Sequence, residues 1–209
     1  MPSSRPAVET LLLPGLNGSP AGHWQAVWAE ERPDARMLLQ DDWGCPTLED
    51  WLGRLEETLA FSDPVWLVAH SLGCLLAAQL ADRPLARMIK GTLLVAPCDL
   101  ARVETLHPCV VRFGAMPTKR LPFPSLVVAS RNDPYMHFDM AERMARCWGS
   151  DLADLGAAGH INIASGFGRW PIGFTLLDRL QDRAARSRRA LCTPLSLTPP
   201  SSRHSSARP

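Results

Sequence analysis

Residues 69–73 read Ala-His-Ser-Leu-Gly and join an apolar run, Val-Trp-Leu-Val-Ala (65–69), to a segment rich in Leu and Ala (72–81). That is the order strand, sharp turn, helix. It is the context of a nucleophile elbow, in which a strained turn lifts a serine hydroxyl above the sheet edge and small neighbours keep clear of it. The usual pattern is Gly-x-Ser-x-Gly. Ala69 replaces the first glycine and adds one methyl group, which the turn tolerates where its surroundings are open. The alternative reading of Ser71 is a helix N-cap, a position serine also favours.

A serine hydroxyl is a weak nucleophile at neutral pH. It needs a base to take its proton and a carboxylate to hold that base in the correct tautomer. After an elbow the chain order expected is Ser, Asp, His. Asp133 lies in Ser-Arg-Asn-Asp-Pro-Tyr (130–135), just past the apolar run Leu-Val-Val-Ala-Ser (126–130). His160 lies in Gly-Ala-Ala-Gly-His-Ile-Asn (156–162), past the last short strand candidate. Asn-Asp-Pro is also a good turn without chemistry, and Asp99, after Gly-Thr-Leu-Leu-Val-Ala-Pro (91–97), ranks second as the acid. Of the other histidines, His23 and His70 precede the acid, His107 falls in an irregular segment, His137 is too close to Asp133, and His204 lies near the end of the chain.

Acyl transfer further needs donors for the oxyanion of the tetrahedral intermediate, usually backbone N–H groups. Leu72, next to the serine, supplies one. The second is expected from Pro-Gly-Leu-Asn-Gly-Ser (14–19), whose glycines allow tight turns near a ligand, with Leu16 first and Asn17 second. The chain has neither Gly-x-x-x-x-Gly-Lys-[Ser/Thr] nor Gly-x-Gly-x-x-Gly, so a phosphate loop and a dinucleotide fingerprint are excluded.

The elements that must position these groups alternate. Strands are expected over Val8–Leu13, Ala35–Leu39, Val65–Ala69, Gly91–Ala96, Leu126–Ser130 and Leu152–Leu155. Helices are expected over Pro20–Glu31, Thr47–Phe61, Ser71–Leu80, Phe138–Trp148 and Pro171–Ala184. Such alternation predicts an α/β fold with a mostly parallel sheet and helices on both faces. In the second helix Thr47 caps, Asp50 follows at the third position, and Leu48, Trp51, Leu52, Leu55 and Leu59 make one apolar face. Residues 97–124 carry five prolines and no long period, which predicts an irregular crossing or a very small lid.

Of the 209 residues, 46% are hydrophobic and 21% charged, with 22 Lys and Arg against 21 Asp and Glu, a composition typical of globular domains. Residues 183–209 hold six arginines and no acid, leaving 16 basic against 21 acidic residues in the rest. The main body is therefore mildly acidic, and no nucleic-acid partner is expected. From Arg186 the chain is rich in Arg, Ser and Pro and is expected to be a disordered basic tail beyond a domain at 1–185. No apolar run reaches the roughly 18 residues of a membrane span, and no signal peptide is evident, so a cytoplasmic protein is expected. The six cysteines, Cys45, Cys74, Cys98, Cys109, Cys147 and Cys192, form no Cys-x-x-Cys pair. No metal site is expected, and in a reducing compartment they would be free thiols.

Five blocks carry a resemblance: Leu-Leu-Leu-Pro-Gly-Leu-Asn-Gly-Ser-Pro-Ala-Gly-His-Trp (11–24), Asp-Asp-Trp-Gly-Cys-Pro-Thr-Leu-Glu-Asp-Trp (41–51), residues 65–73, residues 127–135 and residues 155–171. In this order they resemble the retinoblastoma-binding-protein and YdeN-like small serine hydrolases of the α/β-hydrolase superfamily, over roughly residues 8–182. The resemblance implies an α/β-hydrolase fold with little or no lid, with Ser71 as nucleophile, Asp133 as acid and His160 as base. The retinoblastoma-protein role is associated with Leu-x-Cys-x-Glu, which is absent from this chain. His23, Trp24 and Trp43 fall in family-like blocks, as pocket lining or as core. The expected activity is cofactor-free cleavage of small esters, thioesters or amides through an acyl-enzyme. An acyltransferase with the same triad and a catalytically silent interaction protein are the alternatives.

Overall fold

The computed structural model describes residues 9–107 and 111–192. Its six strands, β1 (Thr10–Leu13), β2 (Ala35–Met37), β3 (Val65–His70), β4 (Ile89–Val95), β5 (Ser125–Ala129) and β6 (Asp151–Asp154), form one sheet. The order is β2-β1-β3-β4-β5-β6, and every neighbouring pair is parallel. Six α-helices connect them: α1 (Trp24–Glu31), α2 (Leu48–Ala60), α3 (Leu72–Ala78), α4 (Leu100–Leu106), α5 (Phe138–Trp148) and α6 (Pro171–Cys192).

The sheet is apolar on both faces because successive side chains point to opposite sides. In β3, Leu67 and Ala69 pack in one core with Leu55 and Leu59 of α2, Leu75 of α3 and Ala141 and Met144 of α5. Trp66 and Val68, the residues between, pack in the other core with Trp24 and Trp28 of α1 and Leu177 and Leu180 of α6. Helices thus cover both faces, as the alternating pattern predicts. The cap on α2 forms as expected: the Thr47 hydroxyl accepts from the Asp50 N–H at 3.1 Å, and Trp51, Leu52, Leu55 and Leu59 are buried.

Several boundaries move. Val8, the expected start of the first strand, lies outside the described residues. Strand β2 ends at Met37 instead of Leu39, since the chain leaves the sheet edge and Leu39 is 69% exposed. Helix α1 begins at Trp24, with residues 20–22 forming a turn that closes on Gly22 at φ 87°. Helix α4 is new within the segment expected to be irregular; Asp99 caps it by accepting from the Ala101 N–H at 3.1 Å. Helix α6 runs to Cys192, past the expected boundary at Arg186, because Arg and Ala favour helix and the first helix-breaking proline downstream is Pro194. Residues 193–209, with His204, lie outside the described residues. Among the described residues no helix is long and apolar enough to cross a membrane.

The expectation that all cysteines are free needs correction. Cys74, Cys98 and Cys147 are free thiols, but Cys45 is disulfide-bonded. Cys109 and the side chain of Cys192 lie outside what is described. Scattered single cysteines carry no spacing signal for a bridge, and the bond removes free thiols as support for a reducing compartment.

Candidate active site

The strand order reverses between β1 and β3, and open parallel sheets bind ligands beyond the strand ends at such a point. The loop after β1 and the turn after β3 meet there. Ser71 sits in that turn at φ 53°, ψ −121°, a conformation that costs non-glycine residues about 1–3 kcal/mol. Two glycines let the loop approach. A Cβ on Gly15 would lie 2.6 Å from the Ser71 Cβ, and one on Gly73 would lie 2.3 Å from the carbonyl oxygen of Leu13. Ala69, the departure from the usual pattern, is fully buried within β3 without a strained φ.

Ser71, His160 and Asp133 come from three strand ends into one buried chain. The Ser71 Oγ lies 2.9 Å from His160 Nε2, and His160 Nδ1 lies 2.9 and 2.8 Å from the two Asp133 carboxylate oxygens. A carboxylate only accepts, so His160 Nδ1 carries the proton and Nε2 offers its lone pair to the serine hydroxyl. The Tyr135 N–H also donates to Asp133 at 2.8 Å. The rival acid, Asp99, is occupied as the cap of α4.

The loop bearing His160 is fastened at each residue. The Ala158 N–H donates to Ser130 Oγ at 2.9 Å, the Gly159 N–H to Asn132 Oδ1 at 2.7 Å, and the His160 N–H to Ser165 Oγ at 3.0 Å. His70 Nε2–H donates to the His160 carbonyl, and Trp24 Nε1–H to the next carbonyl, that of Ile161, both at 2.9 Å. These bonds hold Ile161 at φ 49°, a rare conformation for a β-branched residue. Residue spacing gives no sign of the roles of His70, Ser130 and Asn132, because each partner is 27 or more residues away, and the Ser165 bond, five residues on, depends on the loop's own turn.

A cleft of about 310 Å³ opens over Ser71, His160, Leu16 and Leu72. Among the described residues no backbone acceptor engages the N–H of Leu16 or Leu72. The Asn17 N–H, the second choice for the oxyanion, is instead donated to the Trp43 carbonyl at 2.8 Å. Its backbone amide is therefore not free to serve.

A family model for serine hydrolases matches residues 10–179. The chain belongs to the serine hydrolase family. Among solved structures, this serine hydrolase is similar to a YdeN-like hydrolase from Pectobacterium atrosepticum, with 32% identity, a TM-score of 0.74, and coverage of 85% of this chain and 92% of the other. The ydeN gene product of B. subtilis matches at 21% identity and a TM-score of 0.66, over 82% of this chain and 97% of that one. Thermogutta terrifontis esterase 2, solved phosphonylated by cyclosarin, shares the fold at 14% identity and a TM-score of 0.62, over 88% and 84% of the two chains. No curated protein matches. These likenesses make the chain a YdeN-like small serine hydrolase of the α/β-hydrolase superfamily.

In this serine hydrolase His23 lines the cleft, but Trp24 and Trp43 do not. Trp24 is fully buried among Trp28, Trp170 and His70. Burying the roughly 200 Å² of an indole contributes about 5 kcal/mol, which favours the core over a cleft wall. Trp43 is half-buried beneath the loop after β1, against Gly18 and edge-on to Trp51. Helix α4 and the residue that caps its C-terminus add Val103 and His107 to the cleft, which the sequence did not nominate. His107 Nε2 accepts from Asn17 Nδ2 at 3.2 Å, joining α4 to the opposite lip. Behind Ser71, burial pushes the Cys98 thiol up to about 12, so it stays protonated and is no rival nucleophile.

Proposed function

We propose that this protein is an esterase for small, neutral carboxylic esters, acting through an acyl-enzyme on Ser71. The single observation that carries the reading is the buried chain Ser71, His160, Asp133 at 2.9 and 2.8 Å beside the amides of Leu16 and Leu72, which no backbone acceptor among the described residues engages. Ser71 Oγ attacks the ester carbonyl carbon while its proton passes to His160 Nε2. The N–H groups of Leu16 and Leu72 receive the oxyanion, and Asp133 steadies the imidazolium. When the tetrahedral intermediate collapses, the C–O bond to the alcohol breaks and His160 protonates the leaving oxygen. Water then attacks the acyl-Ser71, gives its proton to His160, and the acid departs as Ser71 regains its hydrogen.

Cleft size and lining support the substrate class. The volume lies at the low end of the range for small-molecule pockets, and among the described residues no Asp, Glu, Lys or Arg lines it. Leu16, Val103, Ile163 and Ala164 give it an apolar side suited to a short acyl chain. Among the described residues no group of His, Cys, Asp and Glu is arranged to hold a metal ion, and the proposed steps use none.

The test is steady-state hydrolysis of p-nitrophenyl acetate and butyrate by folded wild type, Ser71→Ala and Asp133→Asn. Ser71→Ala is expected to abolish turnover, and Asp133→Asn to lower kcat by about 10³-fold or more by favouring the wrong tautomer of His160. Equal rates in wild type and Ser71→Ala would overturn the proposal.

A further inference from the structure

His23 is 4% exposed, yet its ring lines the same cleft as Ser71 and His160. As the cap of α1 it accepts the Gln25 N–H on Nδ1 at 3.2 Å. A neutral imidazole with Nδ1 accepting carries its proton on Nε2. Burial and the nearby His160 hold the His23 pKa down to about 4, so the ring is neutral near pH 7. Among the described residues nothing accepts from Nε2. Among the other polar side chains of the lining, Asn17 and His107 bond each other, and Asn162 Oδ1 accepts from Ser165. Nε2 opens to the cleft rather than lying sealed in the core, so an acceptor on a ligand takes the place of water at this donor.

We propose that the Nε2–H of His23 is a specificity-determining donor, selecting neutral esters that carry a second acceptor oxygen close to the scissile carbonyl. The inference rests on the esterase reading above and narrows its substrate class. A neutral donor in a cleft whose described lining holds no Asp, Glu, Lys or Arg matches an ether, hydroxyl or carbonyl oxygen better than a carboxylate. Sites that hydrogen-bond a substrate oxygen discriminate against the analogue lacking it, because the protein group is then left unpaired.

The test uses isosteric ester pairs in which one methylene becomes oxygen. p-Nitrophenyl methoxyacetate is compared with the butyrate for the acyl arm, and 2-methoxyethyl butyrate with butyl butyrate for the alcohol arm. The readout is the ratio of kcat/KM within each pair, in wild type, His23→Ser and His23→Ala, which cancels the intrinsic reactivity of the esters. His23→Ser keeps a helix cap while losing the reach of the ring. In one arm or the other, the ratio is expected to fall about fivefold to tenfold in both variants, the loss of one neutral hydrogen bond. Ratios unchanged in both arms, or a fall in His23→Ala that His23→Ser restores, would overturn the role. A wild-type enzyme that cleaves none of these esters would instead overturn the esterase reading beneath it.

Discussion

In the proposed mechanism His160 serves Ser71 only while its ring stays upright against Asp133, and the two histidines beside it bear on its charge. His70 and His23 follow it in a row, with ring centroids 4.9 Å from His160 to His70 and 5.0 Å from His70 to His23. Burial holds both neighbours well below the ordinary histidine range, so neither of those rings carries a charge near pH 7. This has a consequence for stability. In the unfolded chain His23 takes a proton as pH falls through about 6.5, whereas in the folded protein it does so only at about 4. Protons therefore bind the unfolded state more tightly, and stability is lost as pH drops from about 6.5 to 4, by at most about 3 kcal/mol from His23. His70 adds in the same direction. Urea unfolding at pH 7.5 and 4.5 should show a smaller loss in His23→Asn, which retains a cap, than in wild type; equal losses would contradict the assignment. Ser71, Asp133 and His160 were legible because their types, order and strand-end positions are all local signals. His70 was not, because its bond to the His160 carbonyl spans 90 residues.

The elements hold the site through close approach more than through length. The turn after β3 and the loop after β1 touch because residues 15 and 73 lack side chains. Gly73→Ala would drive a methyl group into the Leu13 and Pro14 carbonyls, which belong to the backbone and cannot swing aside. A destabilisation of about 2 kcal/mol or more is expected, with loss of activity as the loop carrying the Leu16 amide is pushed off the elbow. Thermal unfolding and ester turnover measure it, and a variant as stable and active as wild type would refute the packing argument. Apolar runs made the strands readable, and the Thr47 cap made α2 readable. Helix α4 escaped because seven residues are too few to show a period, and its cap, Asp99, resembled a strand-end acid. Helix α6 was underestimated for a related reason: arginine and serine suggest disorder by composition, although neither breaks a helix.

For the whole molecule, the reversal of strand order fixes where chemistry can occur, and the two apolar faces leave the strand ends free to carry it. The family match stops at residue 179 and the described part of α6 at Cys192. Removal of residues 193–209 is therefore expected to leave kcat/KM for small esters within about twofold, the scale of a surface change remote from the site. A larger loss would give the tail a part in the activity. The substrate arm facing His23 was beyond the reach of the sequence, because the cleft is assembled from five separate segments whose facing depends on the complete fold. The claim on which the rest depends is that Ser71 is a nucleophile activated by His160. Labelling with a fluorophosphonate, followed by intact-mass and peptide analysis, tests it most directly. The account predicts one adduct, on Ser71, absent from folded Ser71→Ala and formed far more slowly in folded His160→Ala. An unlabelled wild-type protein, or an adduct on another residue, would contradict it.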